Sequence, residues 1–295
     1  MLLKRWLTAI VLIPVLLLIL LKGSPLVFAL LIVLVSIIGM SEYLSILSSQ
    51  LNILTGYPTA SARPIPLKVK AVAYTASILI IFAAYLDSPA MMLSLTALNV
   101  IAMALVVFME FGRERPGGIP NKSGSVPNRG GSVLGAVSAE IQGILYIPLF
   151  LSFLVMIRNM ENGAHWIIWL WLIIGLSDTG AYYVGTYFGK TRLSPHISPN
   201  KSLEGAMGGL GASALVGGVY SIVFIDEASF ILSILFSVTA AAAGQLGDLF
   251  ESALKRAGGI KDSGTILPGH GGILDRFDGL MFAAPVAYIF KVFLL

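Results

Sequence analysis

Read for polarity alone, the chain is a series of nine continuous apolar runs: Trp6–Leu21, Leu26–Leu47, Val69–Leu86, Ala90–Met109, Val133–Ile157, Ala164–Phe188, Gly205–Ile225, Phe230–Phe250 and Arg276–Leu294. A bilayer span needs roughly 20 mostly apolar residues, so the pattern predicts about nine transmembrane helices. Barrel strands would alternate apolar and polar positions over about ten residues, and these runs do not alternate. The predicted fold class is therefore all-α, a polytopic integral membrane protein.

Composition agrees. Of the 295 residues 57% are apolar, against about 45–50% in soluble domains, and the mean hydropathy is +0.89. There is no cysteine, which excludes disulfides and thiol chemistry. The first run follows Lys4-Arg5 as a secretory signal would. Its end, Lys22-Gly23-Ser24-Pro25, is no small-x-small cleavage site, so a retained first helix is expected.

The net charge of +4 becomes informative once mapped onto the connections. With the N-terminus on one side, that side collects 16 of the 19 basic residues. The positive-inside rule makes that side cytoplasmic, and an odd number of spans puts the C-terminus outside. Within the cytoplasmic set, Arg113–Ser132 is rich in Gly and Pro and reads as a mobile connector. The first four spans are almost free of ionisable residues and read as scaffold. Glu42, near the cytoplasmic end of the second, reads as a solvated helix end.

From the sixth span onward the polar residues change character. Asp178 lies about ten residues from its helix end, roughly 15 Å deep at 1.5 Å per residue. A carboxylate there must be paired, metal-bound or facing water; Tyr182, at i+4, shares its face. The next loop, FGKTRLSPHISPNKSLEG, gathers Lys190, Ser198 and Lys201, and Glu204-Gly205 opens the following helix, where backbone N–H groups favour anions. Gly205, Gly209, Gly217 and Gly218 give that helix a small-residue face suited to close packing, which also permits a homodimer. At the end of the eighth span Asp248, Glu251, Ser252 and Lys255 form one helical stripe running out from membrane depth.

The densest polar stretch is Ser252–Asp278, SALKRAGGIKDSGTILPGHGGILDRFD, lying between the last two runs. Asp275 and Asp278 stand at i and i+3 on a helix start, and hard carboxylate oxygens suit Mg²⁺. Gly271 and Gly272, beside His270, let backbone approach a phosphate. Lys255, Arg256, Lys261 and Arg276 can neutralise a polyphosphate, with Asp262 among them.

The run S-x-L-K-R-x4-K-D-x-G-x2-L-P-x-H-G-G-I-x-D-R-F-D resembles the phosphatidate cytidylyltransferases, as do the upstream SDTGAYYVGTYFGK and SPNKSLEGAMGG stretches. The resemblance covers roughly Ile174 to Asp278. It implies transfer of CMP from CTP to phosphatidate with release of pyrophosphate, a divalent metal (Mg²⁺, with room for a second cation), and membrane lipid as substrate. On that reading Asp248, Asp275, Asp278 and Glu251 are the candidate metal ligands. Lys255, Arg256, Lys261 and Arg276 would hold CTP phosphates. Asp178, Tyr182, Lys190, Ser198, Lys201, Glu204, Ser252, Asp262, His270, Gly271 and Gly272 would bind substrate. Residues 1–132 would be scaffold helices plus a cytoplasmic loop, and 133–295 the catalytic membrane region. The site would face the cytoplasm of a bacterial plasma membrane, with no nucleic-acid partner. A transporter with intramembrane acids and a CTP-using lipid kinase are the competing readings. The nearly uncharged first four spans count against the transporter; reaction products separate the kinase.

Overall fold

The computed structural model describes residues 2–55, 65–111, 129–226, 228–266 and 271–294; for 2–9, 11–12, 51–55, 107–111, 129–134 and 136 it describes the backbone alone. Among the described residues ten α-helices follow in order: α1 Leu2–Lys22, α2 Pro25–Thr55, α3 Leu67–Tyr85, α4 Pro89–Phe111, α5 Arg129–Tyr146, α6 Pro148–Asn159, α7 Gly163–Phe188, α8 Leu203–Phe224, α9 Phe230–Ala257 and α10 Leu274–Ile289, the last running into a π-helical turn at Phe290–Leu294. Among the described residues eight helical spans are long and apolar enough to cross a membrane, and α1 adds a shorter apolar segment, Ile13–Lys22. The protein is an integral membrane protein of all-α architecture. The fifth apolar run is one span built of two helices: Pro148 at the first position of α6 cannot donate its missing N–H, so the ladder breaks between α5 and α6. Most of the Arg113–Ser132 loop lies outside the described residues, and its end, from Arg129, is already the first turn of α5.

In lipid, apolar burial does not drive helices together; close packing does. The glycine face of α8 shows how. A Cβ at Gly205 would stand 2.8 Å from the Ala181 carbonyl oxygen, and one at Gly209 2.7 Å from that of Ser177. Those glycines let α8 lie directly on the α7 backbone, the most extensive helix contact in the fold, as the small-residue pattern predicts. On the other side Trp166, Trp169 and Phe236 interlock, with Trp169 and Phe236 ring centroids 4.5 Å apart, and Trp169 donates its indole N–H to the Gly217 carbonyl at 3.0 Å. α10 packs against α9 where Gly247 meets the Asp278 carbonyl. That contact sets the acidic start of α10 beside the acidic end of α9.

The N-terminal helices are not uniformly apolar inside. Glu140 of α5 is fully buried and accepts from Asn99 Nδ2 at 3.2 Å. Glu42 departs from the sequence reading: it is 5% exposed, not solvated. Glu42 lies within α2, which runs on to Thr55, and there its carboxylate is covered by Ser263 and the start of α10.

Candidate active site

Between α7 and α8 the chain turns through a two-stranded antiparallel hairpin, β1 Arg192–Ser194 and β2 Ser198–Ser202. Glu204 fixes its entry, accepting the backbone N–H of Lys190 and of Thr191, each at 3.1 Å. Ser202 Oγ caps α8 by accepting from Gly205 N at 3.1 Å, the usual use of a serine at a helix start. The hairpin thus lies over the ends of α7 and α9 and roofs a cavity of about 620 Å³. Asp178, Tyr182 and Thr186 line it from α7. Arg192, Ser198, Asn200 and Lys201 come from the hairpin, and Gln245 and Asp248 from α9.

Two ion-pair systems stand here. Lys201 Nζ pairs with Asp248 Oδ2 across the cavity; the two side chains are 30% and 35% exposed. Ser252 Oγ donates to Asp248 Oδ1 at 3.4 Å. The second system is more buried. Lys255 Nζ donates to Glu251 Oε2 and to Asp275 Oδ1, both at 2.6 Å, with side-chain exposures of 12%, 1% and 9%. Asp275 Oδ2 also accepts from Ser263 N at 3.0 Å and Gly272 N at 2.9 Å. Gly271 has φ +85, in the left-handed region open to glycine, and this turn brings the Gly272 N–H onto Asp275.

Of the predicted site residues, the cavity brings together Asp178, Tyr182, Ser198, Lys201 and Asp248. Asp178 is exposed into the cavity, one of the environments its depth requires. Asp278 is within electrostatic reach of both Asp178 and Asp248, and Arg276 of Asp178. Arg256 instead holds loops, donating to the Ile197 carbonyl at 3.3 Å and that of Ile260 at 3.2 Å. Glu204 orders the hairpin backbone and is not among the cavity-lining residues. Lys190, Lys261 and Asp262 are exposed and do not line the cavity; His270 lies outside the described residues. The sequence reading missed Gln245 and Thr186. Gln245, which donates to the Ala206 carbonyl at 3.1 Å, sits three residues before Asp248 on the same helical stripe, and that spacing was the available signal.

Among the described residues no three His, Asp or Glu side chains converge on a ready-made cation cage. Mg²⁺ seldom uses one; it takes one or two carboxylates and completes its shell with water and substrate phosphates. Asp178 and Asp248, open to the cavity, fit that donor chemistry. Asp275, also expected as a ligand, does not: both its oxygens are engaged, by Lys255 and by backbone N–H groups. Glu251 gives Oε2 to Lys255, and its Oε1 is buried with no hydrogen-bond partner.

A cavity walled by cations and carboxylates, in an integral membrane protein, is a setting for binding anionic, phosphate-bearing molecules. The chain belongs to the cytidylyltransferase family, whose model matches residues 3–294. It is similar to the phosphatidate cytidylyltransferase of Staphylococcus saprophyticus, 46% identical over 143 residues, 48% of this chain and 55% of that protein. The enzyme of that name from Bacillus subtilis is 43% identical over 145 residues, 49% of this chain and 54% of that protein. That from Thermotoga maritima is 43% identical over 169 residues, 54% of this chain and 61% of that protein. The chain thus spans little more than half the length of the curated relatives it matches.

Proposed function

We propose that the protein is a phosphatidate cytidylyltransferase, joining CMP from CTP to phosphatidate and releasing pyrophosphate, with its site open to the cytoplasm. The observation that carries this reading is the Lys201–Asp248 pair at the wall of a cavity of about 620 Å³, in a chain that belongs to the cytidylyltransferase family. The volume is that of a small-molecule site.

The nucleophile is the lipid phosphate, whose second pKa near 6, by analogy with phosphorylated side chains, leaves it largely ionised at pH 7. No protein base is needed. A phosphatidate oxygen attacks the α-phosphorus of CTP, the bond from that phosphorus to the bridging oxygen breaks, and pyrophosphate leaves with the electron pair. What remains for the protein is positioning and charge neutralisation. Lys201 and Arg192 on the hairpin, with Arg276 at the start of α10, supply positive charge. Asp248 orients Lys201, and Ser198 and Asn200 offer hydrogen bonds to phosphate or ribose. Asp178 and Asp248 would hold a divalent cation, which when bound neutralises phosphoryl charge as a Lewis acid. Tyr182, both a cavity residue and 68% exposed, marks the side from which a lipid headgroup enters.

The test is an assay in detergent with phosphatidate, Mg²⁺ and CTP labelled separately at the α- and γ-phosphates. The reading requires α-label in the lipid and γ-label in pyrophosphate. Entry of γ-label into lipid would make the protein a kinase, and transfer of neither would refute the reaction.

A further inference from the structure

α10 carries Asp275, Arg276 and Asp278, yet nothing in its own sequence caps it. Its cap position is Ile273, with no side-chain cap hydrogen bond, and φ −68 and ψ −39 there are helical. Ordinary cap residues are extended, which is what lets their side chains reach back. The first N–H groups of a helix must still find acceptors. Here they find one 231 residues away in sequence: Glu42 Oε1 accepts from Ile273 N at 3.0 Å, and Glu42 Oε2 from Leu274 N at 2.9 Å. Ser263 Oγ donates to Glu42 Oε2 at 3.0 Å. The carboxylate is walled by glycines: a Cβ at Gly264 or Gly272 would run into it.

We infer that Glu42 is a positioning residue for the transfer reaction. From the N-terminal half it fixes Ser263 and the start of α10, and so the placement of Arg276 and Asp278 on that helix. Three features of the geometry carry this. The interaction is charge-assisted at every donor, and the negative charge faces the positive end of the helix dipole. Ser263 is held at both ends, its N–H by Asp275 and its hydroxyl by Glu42, so the two carboxylates clamp one loop between them. Finally, Glu42 does not line the cavity, so its effect on turnover must pass through α10.

The inference rests on the proposed reaction for its kinetic arm but not for its structural one. The experiment compares the full chain in detergent with Glu42→Gln, which keeps the size and removes the charge. Glu140→Gln, a buried carboxylate of the same half away from α10, serves as control. Amide hydrogen exchange over 271–278 reads helix positioning without any substrate. Initial rates per folded molecule read kcat, and KM for CTP and phosphatidate. Expected for Glu42→Gln are faster exchange across 271–278, a kcat lower by about 10- to 100-fold, the range set by a misplacement near 1 Å, and KM values within about twofold. Glu140→Gln should change neither readout. Unchanged exchange over 271–278, or unchanged kcat in an active parent, would overturn the inference. If the parent makes no CDP-lipid, the proposed reaction falls and the exchange arm alone decides where α10 is held. Should Glu42→Gln fail to fold, Ser263→Ala replaces it. It removes one of the three donors and is expected to lower kcat about threefold, in line with one hydrogen bond; parental kcat and exchange in that variant would equally overturn the inference.

Discussion

The cavity wall and the buried anchor beside it both pair a lysine with a carboxylate, and the two pairs serve opposite ends. Lys201 and Asp248 meet where water and substrate can reach, and each keeps hydrogen-bonding capacity free for a ligand. Lys255, Glu251 and Asp275 meet out of solvent, and Asp275 has both oxygens committed to the protein. A pair that water can reach gains little net stability from its attraction, so a phosphate can displace it at little cost. A buried pair loses heavily when one partner is removed, because the other charge is left uncompensated. Availability therefore marks chemistry, and commitment marks architecture, even when the residue types match.

The sharpest way to break this comparison is Asp248→Asn. Activity should fall by about 10²- to 10³-fold, the loss typical of one aimed electrostatic group, while the thermal midpoint in detergent moves little. A large drop in stability with intact turnover would reverse the assignment. Asp275→Asn should do the converse first, destabilising the fold by about 3–5 kcal/mol in equilibrium denaturation, with activity lost alongside. Gly209→Val tests the packing that shapes the α7–α8 wall. Its Cβ would stand 2.7 Å from a backbone oxygen that cannot yield, and overpacking of this kind costs about 1–3 kcal/mol, visible as a lower thermal midpoint. Smallest is Glu204→Gln, which weakens the hold on the hairpin and should raise KM for CTP by a few-fold, about the effect of one hydrogen bond.

Most of this fold was legible in the sequence because a helix in lipid must be apolar over its whole length. The glycine face of α8 also declared its packing. The site was half legible. Asp178 and Asp248 stood out as carboxylates at membrane depth, and Lys201 by its polar company. The local motif could not tell which charges it would use on itself: Asp275 looks as free as Asp248 until Ser263, Gly272 and Lys255 are folded around it. Glu42 was misread for the same reason. Its partners lie more than 200 residues away in sequence, and no periodicity in α2 announces them. The one hint was on the other side, an α10 whose sequence offers no cap.

In the proposed reaction CTP phosphates enter beside Lys201. Acylation of lysines in the detergent-solubilised chain, quantified residue by residue with and without CTP and Mg²⁺, tests it most directly. Saturating CTP should protect Lys201 while leaving the exposed Lys22 labelled as before. Equal labelling of Lys201 in both conditions would contradict it.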